Sequence, residues 1–270
     1  MDYTEYVVKQ GKGDCIEELI KVRKNVISLE FEKCDEENIP IGASKSGGYP
    51  DLPPSINIPT LCGYTENRNN RLSHYKESAM QLVAQINLSE ISKYDIDNKL
   101  PKHGMLYFFW SGEIMLSDSS YCSYSFEGDN RELFKIIYYD GDMSLLRRTK
   151  PECNYYSKYF EAPLESKRIV AKECKYMYDS SKLEDIFYDE NDEEIAGKLY
   201  EAYADWEVCG NKMLGYHTGS MNVSGPIKGY TNLFQFDYHV GCVWDIMWFI
   251  SEEALSERNF NEVYMDYDMD

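Results

Sequence analysis

Basic residues are scarce in this chain: 28 lysines and arginines stand against 47 aspartates and glutamates, a formal charge of −19 over 270 residues. A field of that sign repels phosphate backbones and anionic lipid, so the composition argues against nucleic acid as a partner. Long apolar runs are missing as well: no stretch reaches the roughly 18 residues of a membrane span, and Met1 to Lys12 is polar and charged. The expectation is a cytoplasmic protein without a membrane partner. Paired cysteines are absent too. The eight cysteines (Cys15, Cys34, Cys62, Cys122, Cys153, Cys174, Cys209, Cys242) are scattered singly, which speaks against a zinc site and for reduced thiols. Ser-Gly-Gly-Tyr-Pro at 46–50 is no phosphate loop, since prolines stand where a helix would have to follow. Of the four histidines, His239 lies nearest a cysteine, Cys242, but a small buried thiol is usually inert core. The sequence therefore assigns no cofactor, no metal and no catalytic residue.

What is present is a glycine- and proline-rich stretch around which the rest is organised, Ser44 to Ser55. Gly47 and Gly48 supply the positive φ of tight turns, while Pro50, Pro53 and Pro54 fix their own φ and push the preceding residue towards extended backbone. The result is a fixed irregular loop, with Lys45, Tyr49 and Asp51 as its polar handles for binding.

Around it, periodicity predicts a helix from Asp14 to about Lys24, then a strand with Ile27, Leu29 and Phe31 on one face. Residues 60–78 are polar and aperiodic and read as a mobile surface excursion. Met80 to Asn87 predicts a strand, Leu88 to Tyr94 a helical turn, and Met105 to Trp110 a strand buried on both faces. Tyr121–Glu127 and Leu133–Tyr139 read as further antiparallel strands, with Asp140-Gly141 as a hairpin turn. Residues 150–163 are the candidate connection between halves. Beyond it lie a strand at Arg168–Tyr178 and a helix capped by Asn191 and running towards Gly210. Strands at Asn232–Asp237 and Val243–Ile250 come next, then a helix capped by Ser251 and a final strand within Phe260–Met269. The acidic end, Asp266, Asp268 and Asp270, reads as a solvated terminus.

Two parts of the chain repeat an order of events. Gly48-Tyr49, Val-Ala-Gln-Ile-Asn (83–87) and an aromatic strand are echoed by Gly215-Tyr216, Leu-Phe-Gln-Phe-Asp (233–237) and a second aromatic strand. The unequal spacing leaves duplication open, with 14–149 and 164–268 as the halves of a single 1–270 domain. On this alignment Gln85 and Gln235 are equivalent, and with Tyr216 they join Lys45, Tyr49 and Asp51 as candidate binding residues. These same stretches, with Pro-Lys-His-Gly-Met-Leu-Tyr-Phe-Phe (101–109) and Leu-Gly-Tyr (214–216), resemble the YwqG-like family of bacterial proteins, a domain of unknown function. That resemblance implies an α+β fold with antiparallel sheets and no established activity. It is also similar to families found among contact-toxin immunity genes. One departure stands out: where the family tends to read Trp-Gly-Asp-x-Gly before the last aromatic strand, this chain has Val240-Gly241-Cys242-Val243-Trp244.

The sequence thus predicts an α+β fold of mainly antiparallel sheets with a few flanking helices, in the form of two intertwined repeats if the echo is a duplication. The protein is expected to work by binding, its sharpest form being a neutraliser of a basic protein such as a toxin, steered by its charge. The alternative is a hydrolase or small-molecule-binding protein with its site near the Gly47–Pro54 loop. Oligomeric state is not legible.

Overall fold

A computed structural model describes residues 2–61, 64–67, 71–74, 77–111, 133–155, 163–188, 193–218, 229–240 and 243–269. Its centre is a sheet of ten strands: β1 (Arg23–Lys33), β2 (Lys45–Ser46), β3 (Gln81–Asn87), β4 (Met105–Trp110), β5 (Phe134–Tyr139), β6 (Lys167–Tyr178), β7 (Lys212–Leu214), β8 (Tyr230–Val240), β9 (Val243–Ser251) and β10 (Tyr264–Met269). Their order in space is β5-β4-β3-β2-β6-β1-β7-β8-β9-β10, and every neighbouring pair is antiparallel. Two four-stranded meanders, β2 to β5 and β7 to β10, therefore flank a central pair made of the two long strands that precede them. Each long strand pairs with the other meander: β1 borders β7, and β6 borders β2.

The sheet curls into a near-barrel because its aromatic strands seek each other. Phe108 of β4 lies 4.7 Å from the ring of Phe234 on β8 and 5.4 Å from Trp248 on β9, although these strands are far apart in the order. Met105 to Trp110 is buried throughout, as expected of a strand covered on both faces. Tyr138 and Phe260 make a second contact between the two ends of the sheet, at 5.4 Å.

The helices are α1 (Tyr3–Lys9), α2 (Ile16–Lys21), α3 (Leu88–Ile91), α4 (Ser180–Phe187), α5 (Glu193–Tyr203) and α6 (Glu252–Ser256). Four of them, α1, α2, α4 and α5, build a smaller core at the Tyr178 end of β6 from Tyr3, Val7, Leu19, Leu183, Phe187, Leu199 and Tyr203. Its hydroxyls are satisfied inside: Tyr3 donates to the Leu199 carbonyl, and Tyr203 accepts from the Tyr178 N–H.

Several sequence expectations need correction. The helix from Asp14 ends at Lys21, because Arg23 already begins β1 and its eleven-residue ladder with β6 claims the backbone. Ahead of it the polar start, for which no element was expected, forms α1 and buries Tyr3 and Val7 on one side. Residues 60–78 include the short ladders Thr60–Leu61 with Ser78–Ala79 and Tyr64–Asn67 with Arg71–His74. Asp140-Gly141 makes no hairpin: the chain leaves the main sheet there, and Arg147–Arg148 pairs instead with Asp51–Leu52. The expected strand Tyr121–Glu127 and the cap Asn191 lie outside the described residues.

Candidate functional site

The glycine loop forms one of two matching turns. Lys45 lies opposite Gln85 across β2 and β3, and Lys212 lies opposite Gln235 across β7 and β8. Three residues after each lysine comes a glycine and then a tyrosine, Gly48-Tyr49 and Gly215-Tyr216. The backbone follows the same path: Gly47 and Gly48 both have φ of 65°, and Leu214 and Gly215 have φ of 61° and 75°. In each turn the glutamine amide oxygen accepts the backbone N–H six residues beyond the lysine, that of Asp51 at 2.8 Å and of Thr218 at 3.1 Å. Even the irregularity two residues before the glutamine recurs, with the ladders slipping at Val83 and at Leu233.

Around the first turn the polar groups close on one another. The buried Lys45 ammonium donates to Glu36 Oε1 at 2.7 Å and to the Tyr49 carbonyl, and the same Glu36 oxygen accepts the Tyr49 N–H at 2.6 Å. Arg148 Nε donates to Asp51 Oδ1 at 2.9 Å, while Asp51 Oδ2 accepts from Gly42 N and Gln85 Nε2. Tyr107 donates its hydroxyl to the Asp51 carbonyl at 2.6 Å. Burial pulls the Lys45 ammonium below its ordinary pKa and the Glu36 hydrogen bond pulls the other way. Of the sequence-predicted residues here, Lys45, Asp51 and Gln85 are fully buried and bonded to the protein, and Tyr49 is half-buried.

Around the second turn the hydrogen-bond partners of the lysine are neutral, with Glu207 and Asp245 acting on it only through space. Lys212 Nζ donates to the Val208 carbonyl and to Thr218 Oγ1, both at 2.6 Å, and burial pushes its pKa down to about 7. Gln235 is buried with its amide on Thr218. The carboxylates of this half sit on the strands: Asp237, Asp245 and Asp268 are in register across β8, β9 and β10. Burial raises Asp245 and takes Asp266 up to about 6.

Tyr216 opens onto a cleft of about 350 Å³. Its walls come from the end of α2 and start of β1 (Lys21, Arg23, Lys24, Asn25), the segment carrying Asp97 and Lys99, the turn at Leu214 and Tyr216, Thr231 on β8, and Glu252 and Leu255 on α6. Four cations and two carboxylates thus line a cavity of a strongly acidic protein. Lys24 is held in place by the Tyr230 carbonyl and by the Tyr216 ring, whose centroid lies 5.1 Å from its ammonium. Arg23 sits 4.0 Å over the Tyr176 ring. A smaller groove with Asn98, Pro101, Ser256 and Arg258 continues the cleft through the shared Lys99, Glu252 and Leu255. Among the described residues, the non-glycine residues with left-handed φ are Asn98, Leu214 and Arg258, and each lines the cleft or its groove. Asn accepts that conformation readily, but for Leu214 and Arg258 it costs about 1–2 kcal/mol each, the kind of strain that gathers at functional sites.

Sequence reasoning named Tyr216 but not its neighbours in the cleft. The available signal was Lys21, Arg23 and Lys24, a basic run in an acidic chain, which periodicity had absorbed into a helix. Among the described residues no cluster of three or more His, Cys, Asp or Glu is placed to hold a metal ion, and no helix is long and apolar enough to cross a membrane. A comparison with curated proteins returns no match. The family model for a domain of unknown function, DUF1963, matches residues 44–269, from the first turn through the last strand, and the chain belongs to that family.

Proposed function

We propose that this protein acts by binding, and that its ligand is a small anionic molecule seated in the cleft beside Tyr216. The observation that carries this reading is the concentration of Lys21, Arg23, Lys24 and Lys99 around one cavity in a chain of net charge −19. Evenly distributed charge would make such a cavity acidic; here cations outnumber carboxylates, which favours oxyanion ligands. Within this reading Gln235 is a positioning residue, while Lys45, Asp51 and Gln85 hold the first turn, outside the cleft lining. Between them the four brace the two turns, and the Gly215-Tyr216 turn forms one wall of the cleft. A hydrolase site at the Gly47–Pro54 loop has less support, because the polar groups there are engaged with each other. We read the chain as YwqG-like within its family on its Ser-Gly-Gly-Tyr-Pro and Gln-Ile-Asn motifs, and the matched turns as copies of one half-domain. The free thiols of Cys34, Cys174 and Cys209 suit a cytoplasmic setting.

The test is calorimetric titration with small phosphates and carboxylates at low ionic strength. Binding that weakens about tenfold in Lys24→Met is the expected result; binding unaffected by that change places the ligand elsewhere.

A second reading is favoured by the overall charge itself. A basic protein partner, such as a toxin to be neutralised, would be steered to an acidic surface. Its association rate should fall steeply as salt shortens the Debye length below about 10 Å. A rate insensitive to salt, or no cationic protein recovered from the cells that make this one, removes that reading.

A further inference from the structure

We infer that the anion subsite of this cleft lies between Lys24 and Lys99, and that Glu252 occupies it in the unliganded protein as a stand-in for the ligand's carboxylate or phosphate group. The inference rests on the cleft reading above and says which part of the ligand goes where.

Glu252 places Oε1 3.1 Å from Lys24 Nζ and Oε2 3.8 Å from Lys99 Nζ, so one carboxylate bridges two ammonium groups at the junction of cleft and groove. This is the arrangement an oxyanion of a ligand would adopt. The two acids of the cleft differ in how firmly they are held. Asp97 accepts from the Asn25 N–H with one oxygen and from the Tyr176 hydroxyl with the other, which ties it to β1 and β6. Glu252 holds its two lysines through a side chain that is half exposed. Glu252 and Lys99 are both half open to water, where ion pairs are weak, so the carboxylate can swing into solvent at little cost.

The cation beneath does not leave with it. Lys24 is only 20% exposed and keeps its bond to the Tyr230 carbonyl and its place over the Tyr216 ring. The subsite is therefore preorganised, which lowers the cost of binding. The backbone of Glu252 is pinned independently of its side chain: its N–H donates to the Gly229 carbonyl, and Ser251 caps α6 through the Ala254 N–H. Displacement needs a rotamer change and no refolding. The ligand class that fits is a small molecule with a carboxylate or phosphate head at Lys24 and Lys99.

The experiment compares wild type, Glu252→Gln and Glu253→Gln by calorimetric titration with inorganic pyrophosphate and, separately, citrate, at fixed low ionic strength. Melting curves check that each variant is folded. Glu253 follows on the same helix outside the cleft lining, so its replacement removes the same charge without opening the subsite. The expected result is binding of one probe, tightened several-fold by Glu252→Gln and unchanged by Glu253→Gln; which probe binds separates phosphate from carboxylate chemistry. Binding by Glu252→Gln alone also supports the stand-in. Wild-type binding that Glu252→Gln leaves unchanged or weakens overturns this inference while the cleft reading stands. Equal tightening by both variants also overturns it, since net charge then accounts for the effect. If no variant binds either probe, the cleft reading falls and this inference falls with it.

Discussion

The two turns share a backbone and differ in what satisfies the lysine. At Lys45 a carboxylate, Glu36, and the Asp51–Arg148 pair surround a buried ammonium; at Lys212 the named partners are a carbonyl and a hydroxyl. Position for position, Asp51 of the first turn is Thr218 of the second, and Gly47 is Leu214. The difference shows that a conserved path of the chain does not require conserved electrostatics. The path is set by the glutamine clamp and the left-handed pair of residues. The charge balance is left to whatever packs above: in one half Glu36 and Arg148, from segments outside the loop, supply it and close the turn, in the other the turn borders an open cleft.

The comparison breaks most sharply at the glycines. A Cβ on Gly47 would come 2.3 Å from the Glu165 carbonyl oxygen, and one on Gly48 would come 2.2 Å from Glu36 Oε1 and Ser166 Oγ. Gly47→Ala and Gly48→Val should each destabilise the fold by about 3 kcal/mol or more in urea melts, although the second turn carries Leu214 at the place of Gly47. Unchanged midpoints would show that the first turn has room to adapt.

Removing the carboxylate partner comes next. Glu36→Gln leaves Lys45 buried without its counter-charge and should cost about 3 kcal/mol. Leu214→Gly, at the matching turn, should combine relief of left-handed strain with the loss of a buried side chain and cost less.

The smallest effect is a pH dependence. Burial sets the folded pKa of Lys212 to about 7 against an ordinary 10.5, so between these values the unfolded chain binds a proton that the folded chain does not. Stability should therefore rise with pH from about 7 to 9, by about 2 kcal/mol, before the buried tyrosines, whose pKa values are raised, reverse the trend. Lys212→Met should remove the rise. Thr218→Asp should flatten it, because a carboxylate beside the ammonium restores the arrangement found at Lys45. Denaturation curves at several pH values decide this; a rise that survives in Lys212→Met assigns the effect to another group.

Much of the fold was legible because strands covered by a core announce themselves locally. Met105–Trp110 is uniformly apolar, and Ile27, Leu29 and Phe31 alternate with polar residues, so β4 and β1 could be drawn before any contact was known. The helices α1 and α4 were missed: each is short, and each becomes apolar on one side only through the shared cluster of Tyr3, Val7, Leu183 and Phe187. Asp140-Gly141 misled for the opposite reason, since a turn signal says that the chain bends but not which strand it meets next. Within the candidate site, Tyr216 was visible through the Gly-Tyr echo, whereas Lys99 and Glu252 carry no local mark of the cleft they share.

By itself the sequence determined the irregular Gly47–Pro54 loop, the alternation and apolarity of the main strands, and the excess of acid, because these depend on allowed φ values, on side-chain periodicity and on composition. The tertiary structure alone decided the rest. It crossed β1 and β6 between the meanders, buried Lys212 among neutral hydrogen-bond partners, and gathered Arg23, Lys24, Lys99 and Glu252 from distant segments around one cavity. Strand order and the protonation of a buried amine depend on which surfaces exclude water together, and no local stretch of chain contains that information.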